Sequence, residues 1–213
     1  MDVDAKLPVG LFEGKTILVT GGTGSFGGYF IDYLLDKKFK EIRVFSRDEL
    51  KQDNMRLRLQ NSKIKFYIGD VRDRSSVDDA MSGVDYVFHA AALKQVPACE
   101  FFPKQAMQTN VIGSQNVIES AISRGVSKVV SLSTDKAVYP VNALGITKAL
   151  MEKVIQSTSR KLSEGQTVLT LVRYGNVLFS RGSVIPLFMK LIRENKPLTL
   201  TDPRMTRFLL PLK

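Results

Sequence analysis

A chain of 213 residues, 44% of them hydrophobic, is long enough to bury one substantial core, so a single domain is the default expectation. No apolar run approaches the roughly 20 residues that cross a bilayer, and Met1-Asp2-Val3-Asp4 lacks the basic-then-apolar layout of a secretory signal, which points to a cytoplasmic protein with no membrane partner. The net charge of +10 comes from dispersed Lys and Arg with no basic run interleaved with aromatics, so no nucleic acid is expected, and the positive field suits a phosphorylated small molecule.

In chain order, residues 1–13 read as an N-terminal extension. Thr16-Ile17-Leu18-Val19-Thr20 then predicts a buried strand, followed by a helix from about Ser25 to Lys37 and a second strand at Ile42-Arg43-Val44-Phe45. Further strands are expected at 64–68, 86–88, 129–132 and 168–172, separated by helices near 49–59, 75–81, 104–123 and 142–162. Near-continuous apolar strands linked by helices imply a parallel sheet covered on both faces, an α/β, Rossmann-like doubly wound domain over residues 14–175. After Val172 the pattern changes to a loop, an apolar helix at about Val184–Glu194 and a short strand Leu198-Thr199-Leu200-Thr201, so residues 176–213 read as a partial substrate-binding region. The one cysteine, Cys99, excludes an internal disulfide, offers no metal-ligand spacing and reads as packing; no metal is expected.

The glycine run Gly21-Gly22-Thr23-Gly24-Ser25-Phe26-Gly27 follows a predicted strand and opens a predicted helix, the context that makes such a pattern informative. A dinucleotide needs a tight turn, close backbone approach to its pyrophosphate and helix amides facing the anion. After the second strand, where an NAD enzyme often carries an acidic residue, stands Ser46-Arg47, and a guanidinium suits a 2′-phosphate. NADP is therefore expected ahead of NAD, although Asp48 and Glu49 follow directly. Gly69-Asp70-Val71 and Ala90-Ala91-Ala92 fall where the adenine and the nicotinamide ribose would lie, and Lys94 is a candidate for touching cofactor or sugar or for a structural ion pair. His89, the only histidine, reads as a core or cofactor-flanking residue ahead of an acid–base one.

The densest chemistry is Ser133-Thr134-Asp135-Lys136-Ala137-Val138-Tyr139-Pro140, at the C-terminal end of the fifth strand, with a helix carrying Lys148 after it. A hydroxyl, a carboxylate and an ammonium on adjacent residues supply a proton donor, a proton acceptor and a tunable base.

The segments GGTGSFG, FSRDE, FYIGDVRD, HAAALKQVPACE, STDKAVYP, RYGNV, SRGSVIPLF and TDPRMTRF resemble the UDP-N-acetylglucosamine 4,6-dehydratases of capsule and O-antigen synthesis, extended short-chain dehydrogenase/reductase enzymes of the CapE-like polysaccharide-biosynthesis group. The resemblance runs from about Gly14 to Phe208. It implies a lyase on a UDP-sugar, in which hydride leaves sugar C4, water leaves from C5 and C6, and hydride returns to C6. It assigns Lys136 to C5 proton abstraction, Asp135 to protonating the departing C6 oxygen, Thr134 to the O4 region and Lys148 to the nicotinamide ribose. It also places Asn176, Ser183 and Arg207 near the nucleotide-sugar pocket, and gives Asn110 the task of holding the central strands together.

The broader superfamily uses Tyr-x-x-x-Lys, and four residues before Lys148 stands Leu144, so the O4 proton acceptor is open: Lys136 is the first choice and Tyr139 the second. The resembling enzymes run over a hundred residues beyond the position of Phe208. Loss of that lobe is expected to expose apolar surface near Val184–Leu191 and to favour a homo-oligomer. Two other functions stay open: a UDP-hexose 4-epimerase, which shares hydride removal at C4 but eliminates no water, and a non-catalytic remnant that binds cofactor alone.

Overall fold

A computed structural model of the chain describes residues 8, 10–180, 182–200 and 202–212. Six parallel strands form the central sheet: β1 (Thr16–Thr20), β2 (Glu41–Ser46), β3 (Ile64–Ile68), β4 (Tyr86–His89), β5 (Lys128–Leu132) and β6 (Val168–Val172), in the order β3-β2-β1-β4-β5-β6. The order reverses between β1 and β4, and a doubly wound sheet places its ligand crevice at the carboxyl ends of the strands flanking such a switch. This is the Rossmann-like α/β fold expected from the alternation of strands and helices.

Side-chain alternation along the strands feeds two cores. Ile17, Val19, Ile42 and Val44 pack one face against Ile31 and Leu34 of α1 (Ser25–Leu35) and Met55 of α2 (Glu49–Leu59). Leu18, Val87 and Val129 pack the other against α3 (Arg74–Met81), Val117 and Ile118 of α6 (Gly113–Ser123) and Met151 and Ile155 of α7 (Ala143–Ser159). Burial on both faces is what makes these strands apolar throughout.

The structure departs from the sequence expectations in three places. An extra short helix, α4 (Val96–Phe101), precedes the predicted 104–123 helix. That helix is itself divided into α5 (Pro103–Met107), a wide π turn over Gln108–Ile112, and α6. The wide turn carries Asn110 inward, where it is wholly buried. Finally, residues 198–200 form no strand, and Thr201 lies outside the described residues. Instead β7 (Asn176–Val177) and β8 (Leu209–Leu210) pair in parallel, with Asn176 opposite Leu209. Between them α8 (Val184–Arg193) has no buried residue.

Candidate active site

The glycine loop is built by close packing. Gly21 has φ +65°, and its amide donates to Phe45 O at 2.8 Å. A Cβ there would lie 2.8 Å from the Ala91 amide nitrogen, and one at Gly27 would lie 2.5 Å from Gly21 O and 2.7 Å from Gly22 Cα. Only glycine permits this approach of loop, helix and β4 end. Helix α1 starts after its N-cap Gly24 with no side-chain cap and no acidic residue in its first turn, so the positive end of its dipole is left uncompensated for an anion. Those features fit a dinucleotide pyrophosphate.

At the β2 end, Gln52 holds the edge in place: its Nε2 donates to Ser46 O, Ser46 Oγ and, across to β3, Tyr67 O. Arg47 pairs with Asp70 at 3.4 Å, and Arg72 grips the same carboxylate. Burial pushes Asp70 up, but the Arg72 hydrogen bonds and the two guanidinium charges outweigh it and leave the carboxyl below its usual value.

A buried polar chain ties the glycine loop to α7. Ser114 donates its hydroxyl proton to Asn110 O at 2.7 Å, so its oxygen accepts from His89 Nε2 at 2.8 Å, which leaves Nδ1 to accept from Thr20 Oγ1 at 2.7 Å. Asn110 in turn accepts from the Leu93 amide and donates to Leu93 O and Thr147 Oγ1. Burial, helped by the Lys148 charge, drives His89 down to about 3. It is thus a neutral spacer across the physiological range, buried in the core. Cys99 is wholly buried beside Leu144 and Ala106.

The chemistry gathers where β5 and β6 end. Thr134 caps a single tight turn, Asp135–Ala137, and donates to Asp135 Oδ1 at 3.0 Å. Lys136 Nζ donates to Asp135 Oδ1 and to Asn176 Oδ1, each at 3.0 Å, joining the β5 loop to the β6 loop. Behind them Lys148, 6% exposed, donates to Leu132 O at 2.8 Å. Burial lowers its ammonium to about 8, against the pull of the Glu152 carboxylate. Leu144 is buried and lines the cavity where the superfamily tyrosine would stand. Tyr139 is 92% exposed and does not line the cavity, which removes it as the alternative proton acceptor.

One cavity of about 840 Å³ runs along this edge. It is lined by every residue singled out from sequence for cofactor and sugar: Gly21, Thr23, Gly24, Ser25, Phe26, Gly27, Ser46, Arg47, Asp70, Val71, Ala90, Ala91, Ala92, Lys94, Asn176, Ser183 and Arg207, and by Thr134, Lys136 and Lys148. Asp135 alone stands behind the wall, reached through Lys136 and Thr134. Lys94 has no acidic partner among the described residues and offers its charge to the cavity. The Ser183 hydroxyl is buried without a hydrogen-bond partner, and the Arg207 guanidinium donates to the neighbouring Thr206 O. Sequence reasoning missed Tyr174, which lines the cavity and lies parallel to Phe26 of the glycine loop with centroids 6.1 Å apart. The RYGNV segment was its only signal.

Residues 17–213 match the family model described as "Polysaccharide biosynthesis protein". The chain belongs to that family. A relative from Rickettsia prowazekii (strain Madrid E), called UDP-glucose 4-epimerase, is 59% identical over 206 residues, 95% of this chain; the chain spans 60% of that relative's length. The X-ray structure of Pen from Bacillus thuringiensis is 44% identical with a TM-score of 0.92, covering 95% of this chain and 62% of that one. The crystal structure of DesIV, a dTDP-glucose 4,6-dehydratase from Streptomyces venezuelae, solved with NAD and TYD bound, is 25% identical with a TM-score of 0.84, covering 92% and 68%.

Two expectations are corrected by these findings. The 4,6-dehydratase reading, with its lyase chemistry and its UDP-N-acetylglucosamine substrate, gives way to the epimerase name borne by the 59% identical relative. The NADP expectation gives way to the NAD found in DesIV. Arg47, on which NADP rested, already has its charge paired with Asp70, and Asp48 joins Asp70 in lining that end of the cavity. No helix among the described residues is long and apolar enough to cross a membrane, and no group of His, Cys, Asp and Glu among them is arranged to hold a metal.

Proposed function

We propose that this chain carries the cofactor side and part of the substrate side of an NAD-dependent UDP-hexose 4-epimerase. The observation that carries the reading is that Thr134, Lys136 and Asn176, with Asp135 behind them, line one cavity together with the glycine-loop cradle. The name of the Rickettsia relative supports the choice of reaction.

When bound, NAD supplies a reversible acceptor for the hydride at sugar C4. Gly21–Gly27 and the N-terminal end of α1 would hold the pyrophosphate, and the β2 edge around Ser46 would receive the adenosine ribose. Lys148 would donate to the nicotinamide ribose. Lys136 would take the O4 proton as the C4–H bond breaks by passing one of its own to the Asp135 carboxylate it pairs with, and the relay would run back once the 4-keto sugar has presented its other face. Asp135 and Asn176 hold its nitrogen in place, and Thr134 orients Asp135. Tyr174 is a poorer base, because burial raises its phenol above the usual value and keeps it a hydrogen-bond donor. Lys94 and Arg207 are placed for the diphosphate of the UDP-sugar.

The chain, incubated with NAD and UDP-glucose, is expected to yield UDP-galactose of unchanged mass, read by chromatography and mass spectrometry. In the same assay Lys136→Met loses about a hundredfold or more in kcat. A product lighter by one water, or cofactor binding with no sugar conversion at all, overturns the proposal.

A further inference from the structure

A carboxylate that no step above uses lies buried under the junction of the two loops that meet in the cavity. Glu152 of α7 is 4% exposed. Its Oε1 accepts from Ser133 Oγ and, at 2.9 Å, from Arg173 Nε; its Oε2 accepts from Arg173 Nη2 at 2.6 Å. Ser133 and Arg173 are the residues that follow β5 and β6, where the ladder ends with Leu132 opposite Val172 and the Ser133 amide donates to Val172 O at 2.7 Å. A carboxylate removed from water is costly unless it is paired and hydrogen-bonded, and donors from two strand ends offset that cost here. Burial pushes the Glu152 carboxyl up, but the Arg173 and Ser133 hydrogen bonds outweigh it and leave the group below its usual value.

Beyond this clamp the two loops carry the site. Ser133 leads directly into Thr134, Asp135 and Lys136, and Arg173 into Tyr174, Gly175 and Asn176. The Asp135 amide donates to Tyr174 O at 3.0 Å, and Lys136 Nζ then meets Asn176 Oδ1. Helix α7 also backs the Asp135–Ala137 turn directly, since a Cβ on Gly145 would lie 2.3 Å from Lys136 O. One helix therefore holds the β5 loop twice, through Gly145 and through Glu152, and reaches the β6 loop through the Glu152–Arg173 pair.

We propose that Glu152 is a positioning residue for Lys136: by tying Ser133 to Arg173 from below, its carboxylate fixes the spacing of the two loops at which Lys136 and Asn176 meet. This rests on the reading of Lys136 as the O4 proton relay given above. Neither Glu152 nor Arg173 lines the cavity, whereas Ser133, Lys136 and Asn176 do, so the clamp acts on the site through the loops. A misplacement of about 1 Å at a reacting group can cost on the order of a hundredfold in rate, so a tie between the loop roots bears on turnover more than on sugar binding.

The test reads the loops directly, by amide hydrogen exchange followed by NMR on the chain without ligands. Glu152→Ala and, at the half-exposed partner, Arg173→Met each remove the tie. The Asp135 amide is expected to exchange about tenfold faster in each, measured relative to the amide of Val44, a buried residue of β2. An ion pair that only stabilised the fold would speed both amides alike. Equal changes at Asp135 and Val44, or no change at Asp135, overturn the proposal, and Arg173→Met decides it alone if the buried variant does not fold. With NAD and UDP-glucose, Arg173→Met is expected to lose about tenfold in kcat with KM held within about twofold. On an Asn176→Ala background it should lose little more, because the contact that the tie maintains is already gone. Full kcat in Arg173→Met, or an undiminished loss on the Asn176→Ala background, also overturns the proposal. If the unsubstituted chain converts no sugar while the Asp135 amide loosens as expected, the epimerase reading fails and the clamp on the two loops stands.

Discussion

The two walls of the cavity are built differently. The cofactor wall sits on the ends of β1, β2 and β4, where Thr20, Ser46 and His89 are buried and the glycine loop is pressed against the Ala90–Ala91 backbone. The far wall is a helix with no buried residue and a two-residue strand pair, and Phe208 beside it is 78% exposed. One wall is fixed by the same packing that folds the domain, so changes there are felt in stability and cofactor affinity together. The other contributes contacts to the site and little to the core, so the two walls should respond to mutation on different scales.

The largest effect is expected from acid. His89 is held at about 3 in the folded chain against an ordinary value of 6.5. The unfolded chain therefore binds the extra proton first as pH falls. The stability present above pH 6.5 is lost progressively between 6.5 and 3, on the order of several kcal/mol. His89→Gln, which takes up no proton, should be less stable at pH 7 yet lose less between pH 7 and pH 4. Urea midpoints at the two pH values measure this. Equal losses in both proteins would show that the acid sensitivity lies elsewhere, and the cofactor wall would lose its claim to be the buried, pH-sensitive half.

Next comes the glycine loop. A methyl group at Gly27 meets backbone, Gly21 O and Gly22 Cα, and neither can rotate away as a side-chain tip would. Gly27→Ala should weaken NAD binding by about a hundredfold, with a stability loss of about 1–3 kcal/mol from the same clash. Calorimetric titration and thermal unfolding read the two. Weakened binding at unchanged stability would separate the cradle from the core and undo the comparison drawn above.

How far these features were legible in the sequence follows the range of the interactions behind them. Thr16–Thr20 and Val168–Val172 could be read to the residue, because an apolar β-branched run bounded by polar residues is a local signal. The glycine loop was equally plain, since strand, glycines and helix are contiguous. Helix α4 was hidden by its length of six residues and by Pro97 at its start, too short for a periodic pattern. Leu198-Thr199-Leu200 alternates like a strand but has none to pair with, and Asn176–Val177 pairs instead with Leu209–Leu210. Arg47 read as a phosphate reader because Asp70, its partner, comes from the end of another strand. Glu152 gave no sign at all: its meaning lies in Ser133 and Arg173, brought to it from the ends of β5 and β6. The reaction was misread for a different reason: Thr-Asp-Lys names residue types that serve more than one reaction beginning at sugar C4, and the 59% identical relative bears the epimerase name.

The smallest expected effect lies on the far wall. Leu187, in the middle of α8, is 52% exposed, and its helix buries nothing among the described residues. An exposed leucine contributes to stability only the area it removes from water, so Leu187→Ser should change stability by less than about 0.5 kcal/mol. NAD binding should be untouched, because the cradle and α8 meet only across the open cavity. Thermal unfolding and NAD calorimetry, run on this variant beside Gly27→Ala, give the contrast in its sharpest form. A drop in stability comparable to that of the glycine variant would mean that α8 is covered in solution, and comparison of unfolding at several protein concentrations would then show whether a second copy of the chain covers it.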